Sequence, residues 1–309
     1  LRCDFYDPHH LDRALARFDA LCVDPLRNPP TTATRMRDRH RDAFLARDWD
    51  AIRALTGADF VYEDRGKRAL VRGNVEAWLA SMQFTTQPGF RTDSALIGTL
   101  GDRIVLDQIR WFGKPGGNAF EFERVRLLEV GADGLLRAVL FFDPEDRFAA
   151  SIDGLARFAA GEAAGSAGIA PMLAFGRALC DRDWDAAREC FAPDLVLVDH
   201  RPLSLGALDR EQWIASLRAN DDLSVGLTWD VVRVPAWSEQ GFVVGIRRRG
   251  TIADGGGPFE NELFTTALVV GGRIQRYEFF GEADAECAAA RFEELSAQRW
   301  RRDAPPAFE

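Results

Sequence analysis

FLARDWDAIRALTGADFVYED, from Phe44 to Asp64, lies over LCDRDWDAARECFAPDLVLVD, from Leu179 to Asp199, with Trp49 and Trp184 135 positions apart. A chain that repeats itself at a fixed shift folds as repeated units, so this alignment governs everything around it. The shift recurs downstream: Asn74–Ser81 matches Asp209–Ser216, again 135 apart from Trp78 to Trp213. Ile109-Arg110 pairs with Ile246-Arg247 at 137, and Phe141-Phe142 with Phe279-Phe280 at 138, as small loop changes accumulate. A partial third copy opens the chain, where FYDPHHLDRALARFDAL from Phe5 to Leu21 parallels FFGEADAECAAARFEEL from Phe279 to Leu295. The expected organisation is therefore the terminal strand and helix of a preceding module in 1–27, one module in 28–160 and a second in 161–309, all within a fragment of a longer protein, a regulatory one among the alternatives.

Within each copy the apolar positions change period. Phe44, Leu45, Trp49, Ile52 and Leu55 have helical spacing, broken near Asp48-Trp49-Asp50 and at Gly57, which predicts two helices with a tight joint. Asp50 and Asp185 are placed to cap the second of these, and Asp209 with Gln212 forms a capping-box pattern before a third. Ile104-Val105-Leu106, Phe120–Leu128 and Val139–Phe142, with breaks at Gly116-Gly117 and Gly255-Gly256-Gly257, read as an antiparallel meander. Helices first and strands afterward mean an α+β class.

This order resembles the NTF2-like pattern, in its SnoaL-like and ketosteroid-isomerase-like branch: helix, helix, strand ending in Asp, third helix, then a long curved antiparallel sheet. The resemblance rests on ADFVYED at Ala58–Asp64 and PDLVLVD at Pro193–Asp199 and covers about 125 residues per copy. It implies two tandem cone-shaped domains, helices packed on a curved sheet, with Asp64 and Asp199 at the position of the family's general base. It also implies an oxyanion donor 24 residues earlier, at His40 in the first copy and at Phe175, which cannot donate, in the second. The second family donor, an acid on the sheet, falls near Arg126 in the first copy and near Phe264 or Thr265 in the second, and neither is a carboxylic acid. Because family members pair through their sheets, the resemblance further implies an intrachain pseudo-dimer or a homodimer.

Composition bounds the partners. With 39 Lys and Arg against 48 Asp and Glu, a net charge of −9 repels phosphate backbones, so nucleic acid is not expected. Five cysteines without metal-type spacing suit reduced thiols, four dispersed histidines offer no metal constellation, and no phosphate loop or dinucleotide fingerprint implies a cofactor. No apolar run approaches the ~20 residues that span a bilayer. The expectation is a soluble, cytoplasmic, bacterial protein without metal or cofactor.

Asp64 and Asp199 end strands whose same-face neighbours, Phe60 with Tyr62 and Leu195 with Leu197, are apolar. Each reads either as a desolvated carboxylate with a raised pKa or as a turn aspartate held by backbone amides. His200 follows Asp199 directly, yet strand neighbours point to opposite faces, so the two are not a ready-made dyad. His40, Asp64, Asp199 and His200 are the catalytic candidates. Tyr62, Trp78, Arg110, Arg126, Trp213, Arg247 and Glu278 are the ligand-binding candidates; Arg110 and Arg247 are equivalent arginines able to meet a carboxylate, or members of a solvated outer face. The leading functional expectation is a module binding a small apolar or aromatic ligand. The alternative is an isomerase-, cyclase- or hydrolase-type enzyme abstracting a proton next to a carbonyl.

Overall fold

The computed structural model describes residues 30–67, 71–86, 90–114, 119–202, 204 and 206–303. The strand and helix expected in 1–27, and the Gly116-Gly117 break, lie outside the described residues.

Helix α1, Thr32–Ala46, starts at a capping box between Thr31 and Thr34 and stops where Arg47 takes a left-handed conformation at φ 56°. After the joint, α2 spans Trp49–Ala54, and the same motif returns as α5, Ala170–Asp181, with left-handed Arg182 at φ 52°, followed by α6, Trp184–Glu189. The caps of α2 and α6 are Asp48 and Asp183, each accepting a main-chain N–H at 2.9 Å. This corrects the expectation for Asp50 and Asp185, which lie two residues further on, within the first turn, because the left-handed residue shifts the start of the second helix back. The capping box of Asp209 and Gln212 forms as expected and opens α7, Arg210–Asp222, just as Asn74 opens α3, Val75–Thr85.

Strands β1 (Thr56–Asp64), β2 (Val71–Gly73), β3 (Phe90–Leu100), β4 (Ile104–Gly113), β5 (Phe120–Val130) and β6 (Leu136–Phe142) build one half of a sheet. A turn at Pro144–Asp146 leads into α4, Arg147–Ala160, after which β7 (Phe191–Asp199), β8 (Ser224–Ser238), β9 (Gly241–Ile252), β10 (Pro258–Val270) and β11 (Arg273–Gly281) build the other, closed by α8, Ala285–Asp303. All eleven strands share one sheet in the order β2-β1-β6-β5-β4-β3-β8-β9-β10-β11-β7. Read outward from the centre, the halves run β3-β4-β5-β6-β1 and β8-β9-β10-β11-β7, the same succession twice. Even the register agrees: Thr56 opposes Leu136 as Phe191 opposes Ile274, and Tyr62 faces Gly73 as Leu197 faces Leu208.

The halves meet edge to edge through a single parallel bridge, Thr99 to Arg233. Gly98 allows that approach, since a Cβ there would lie 2.6 Å from the Cα of Val232. Helix α4 reinforces the junction by packing on β3, β4 and β5 of the first half and on β8 and α5 of the second. Ser151 on α4 accepts the Val231 N–H at 3.2 Å, and Phe158 meets the Trp237 ring edge-on at 4.9 Å.

Strand alternation then divides the first half into two faces. Leu100, Leu106, Val125, Leu127 and Leu140 turn toward α4 and join a core continuous with the second half. Val105, Leu128, Val130, Leu136 and Val139 turn the other way, beneath α1, α2 and α3, with Met36, Ile52 and Trp78. Each such aliphatic side chain contributes about 1.5–3 kcal/mol on burial. That second face, enclosed by three helices, is where a hollow remains.

Candidate functional site

Between the helices and the concave face of the first half lies a cavity of about 450 Å³, lined on its apolar side by Phe44, Trp78, Trp111, Phe122 and Phe141. Its polar lining includes His40, Tyr62, Asp64, Ser81, Arg124 and Arg126, which brings four separate elements together: α1 supplies His40, β1 supplies Tyr62 and Asp64, α3 supplies Ser81, and β5 supplies both arginines. A mostly apolar concavity of this size with a few convergent polar groups is the usual form of a small-molecule site.

The polar wall is built from the sheet outward. Asp107 on β4 is 0% exposed and directly opposes Arg126 on β5, which is 5% exposed. Arg126 donates from Nε to Asp107 Oδ1 at 3.0 Å and from Nη2 to Oδ2 at 2.7 Å, a bidentate pair whose two charges cancel locally. The third guanidinium nitrogen, Nη1, lies 3.3 Å from Nδ1 of His40. Arginine can only donate, so Nδ1 must accept, and the imidazole proton therefore resides on Nε2, 3.4 Å from the Met82 sulfur. Burial first, and the Arg126 charge second, hold the His40 pKa well below its usual value, so the ring is a neutral donor. Trp78 stacks on it at 5.0 Å and fixes its plane.

Asp64, half-buried at the end of β1, accepts the Gly66 N–H at 2.9 Å through Oδ1. Burial raises the Tyr62 phenol above its usual pKa, against a hydroxyl contact to Ser81 at 3.3 Å, so Tyr62 stays protonated. Arg124 reaches Asp143 at 2.6 Å. At the mouth, Leu45, Phe84 and Phe122 are exposed apolar side chains.

The corresponding space in the second half is a void of about 10 Å³ among Phe175, Trp213, Tyr277 and Phe279. Phe175 meets Phe191 edge-on at 5.0 Å, and Tyr277 approaches Phe279 at 4.9 Å and Trp213 at 6.2 Å, so rings fill the cone. Burial pushes the Tyr277 phenol up to about 12.

Of the sequence candidates, His40, Tyr62, Asp64, Trp78 and Arg126 line the first cavity, and Trp213 lines the small void. The others lie elsewhere. Arg110 is half exposed and held by Asp93 at 2.6 Å and Glu121 at 3.4 Å. Arg247 is paired with Glu262 and sits 3.5 Å from Glu260. Both arginines thus stand in ionic pairs on the sheet and line neither the first cavity nor the small void. Glu278 does not face the cone, because alternation turns it to the side opposite Tyr277, where Arg276, Arg291 at 3.1 Å and His200 at 2.8 Å surround it. Asp199 is bound by Arg201 at 2.8 Å. Asp199 and His200 thus serve separate ion clusters and do not converge on a cavity. Asp107 escaped the sequence reading altogether; its one signal was a charged residue within the apolar run Ile104–Ile109, which in a central strand requires a buried partner.

No family model matches the chain. No curated protein matches it either. Among solved structures, a Catenulispora acidiphila protein with a ketosteroid isomerase-like fold, in complex with trimethylamine, aligns at 20% identity over 36% of this chain and 83% of its own, with a TM-score of 0.31. A Mycobacterium tuberculosis protein in complex with estradiol-17beta-hemisuccinate aligns at 20% identity over 36% of this chain and 92% of its own, TM-score 0.30. The Δ5-3-ketosteroid isomerase of a Mycobacterium species aligns at 18% identity over 38% and 95%, TM-score 0.31. These neighbours are NTF2-like, ketosteroid-isomerase-like proteins, matched over little more than a third of the chain.

Proposed function

We propose that the chain is a pair of tandem NTF2-like modules, 28–160 and 161–309, of which the first binds a small apolar or aromatic molecule and the second is a structural partner. The observation that carries this reading is the contrast between a cavity of about 450 Å³ beneath the helices of the first half and a void of about 10 Å³ at the corresponding place in the second. A flat ligand lies between Trp78 and Trp111, and a ligand oxygen takes donors from His40 and Arg126. Charge cancellation between Asp107 and Arg126 makes this wall a set of donors without net charge. The edge-to-edge seam at Thr99 and Arg233 supports an intrachain pseudo-dimer, and the free thiols of Cys180, Cys190 and Cys287 suit a cytoplasmic setting. Among the described residues no helix is long and apolar enough to cross a membrane.

A thermal-shift screen with aromatic, steroid-like and polyketide-like molecules tests the reading. A binder at a hundredfold excess over its Kd stabilises by about 2.7 kcal/mol. Absence of any binder, or a binder unaffected by changes at Trp78 or Trp111, rejects it.

A second reading is favoured by one observation: Asp64 and the neutral donor His40 line the same cavity. In that reading Asp64 takes a proton next to a ligand carbonyl while His40 and Arg126 stabilise the developing oxyanion. Asp64→Asn then abolishes turnover and preserves ligand binding; unchanged turnover removes Asp64 from the chemistry.

A further inference from the structure

A larger cavity, about 890 Å³, lies where the two halves meet. The turn Pro144–Asp146 and the start of α4 form one wall, and the ends of β8, β9 and β10 with α5 and α7 form the rest. Phe148, Trp229 and Phe259 supply broad apolar surface, and Thr228, Arg249 and Glu260, direct neighbours across three strands, form a polar row in its lining.

Behind that row the hydrogen-bonding capacity is unmet. Asp230 is 0% exposed and Arg147, entering from α4, is 5% exposed. Arg147 Nε approaches Asp230 Oδ2 to 2.7 Å, an ion pair in which the N–H is not directed at the oxygen. Both Asp230 oxygens, Nε and Nη2 of Arg147 and Oγ1 of Thr228 thus lack a directed partner within the protein. Buried polar groups in folded proteins are nearly always satisfied, and a cluster of exceptions beside a cavity marks a place for polar ligand atoms or water.

Charge selects among ligands. Arg147 and Arg249 face the single carboxylate of Asp230, with Arg249 3.7 Å away, while Arg247 is neutralised by Glu262. Among these two arginines and Asp230 one positive charge is in excess, offset in part by Glu260, the cross-strand neighbour of Arg249, which is 56% exposed. Two rim acids are engaged already: Glu145 with Lys67 at 2.9 Å and Asp221 with Arg182 at 2.8 Å. Asp146 and the more exposed Glu260 remain at the rim, where solvent screens them.

We propose that this seam cavity is a second binding site, for a small amphipathic carboxylate whose anionic head meets Arg249 and whose apolar body lies on Phe148, Trp229 and Phe259. Because its walls come from both halves, ligand there also braces the junction. It is separate from the first cavity and stands whether or not that cavity binds anything.

Isothermal titration of the full chain with three probes sharing one body, 2-naphthoate, 2-naphthalenemethanol and 2-naphthylmethylamine, tests the proposal. Thr92→Trp closes the mouth of the first cavity and confines the measurement to the seam. In that variant naphthoate should bind about tenfold tighter than the alcohol, the value of one charge-assisted hydrogen bond, and the amine more weakly than either. Adding Arg249→Gln should bring naphthoate to the level of the alcohol. In the unsubstituted chain, nuclear Overhauser contacts from naphthoate to the Trp229 indole locate the ligand independently of either variant. No binding, equal binding of acid and alcohol, indifference to Arg249→Gln, or contacts to Trp111 alone would each overturn the proposal.

Discussion

The two halves of the sheet share strand order and register yet differ at six corresponding positions beside the first cavity and its smaller counterpart. His40 corresponds to Phe175 and Thr56 to Phe191; the pair Tyr62–Val139 becomes Leu197–Tyr277, moving the phenol from β1 to β11. Asp107 and Arg126 become Val244 and Thr265, the residues opposed in the equivalent ladder. In the first half His40, Asp107 and Arg126 form a polar wall and no phenyl ring stands at the places of Phe175 and Phe191. In the second, Phe175, Phe191, Tyr277 and Trp213 meet ring to ring, which leaves a void of about 10 Å³. A shared strand order thus surrounds a cavity or a packed core according to the side chains it carries.

The most damaging test of this contrast is Phe191→Ala, expected to lose about 3–5 kcal/mol in urea denaturation, whereas Phe141→Ala beside the existing hollow should lose roughly half or less. Equal losses would break the comparison. Asp107→Ala should destabilise on a similar scale, about 3–5 kcal/mol, by leaving the Arg126 charge buried and unpaired. Copying the second half through Asp107→Val with Arg126→Thr should recover most of that loss, since an apolar replacement has no uncompensated charge; failure to recover would mean the row is needed for the fold itself.

At the seam, Gly98→Ala forces a Cβ against the Val232 backbone and should reduce stability by about 1–3 kcal/mol, read as a lower midpoint with both halves unfolding less cooperatively. Protonation gives a smaller and reversible effect. His40 has a folded pKa below its unfolded value, so its contribution is complete above about pH 6.5 and falls as pH drops, by up to about 1.4 kcal/mol per unit until the folded pKa is reached. His40→Phe, which copies Phe175, should flatten stability against pH below about pH 6.5; an unchanged slope would show that His40 is not the responsible group. Smallest in stability is Thr92→Trp, placed opposite Trp111 as Trp229 is opposite Arg248, with an expected change within about 0.5 kcal/mol. Its expected consequence is the loss of aromatic binders from the first cavity in the thermal-shift screen.

How much of this was readable beforehand depended on the range of the interaction. Periodicity located α1, α2, the meander and the strand ends at Asp64 and Asp199, because amphipathic patterns report which face a residue buries. The cap positions were misplaced by two residues, since a left-handed arginine has no pattern of its own. His40, Asp64 and Arg126 were legible as candidates through the resemblance. Asp107 was not, because its role exists only through a partner 19 positions away on the next strand. Glu278 was misread for the complementary reason: the strand was recognised, but which of its faces the cone occupies depends on where α8 packs.

The amino-acid order by itself determined the α+β class and the alternation of faces, both consequences of local sterics and hydrophobic period. Only the tertiary structure decided that the two halves join edge to edge at Thr99 and Arg233, and that Arg147 reaches across to Asp230. It likewise decided that one cone is open and the other filled. Those outcomes rest on volumes and charges brought together from distant segments, where a single ring or ion pair determines whether space remains.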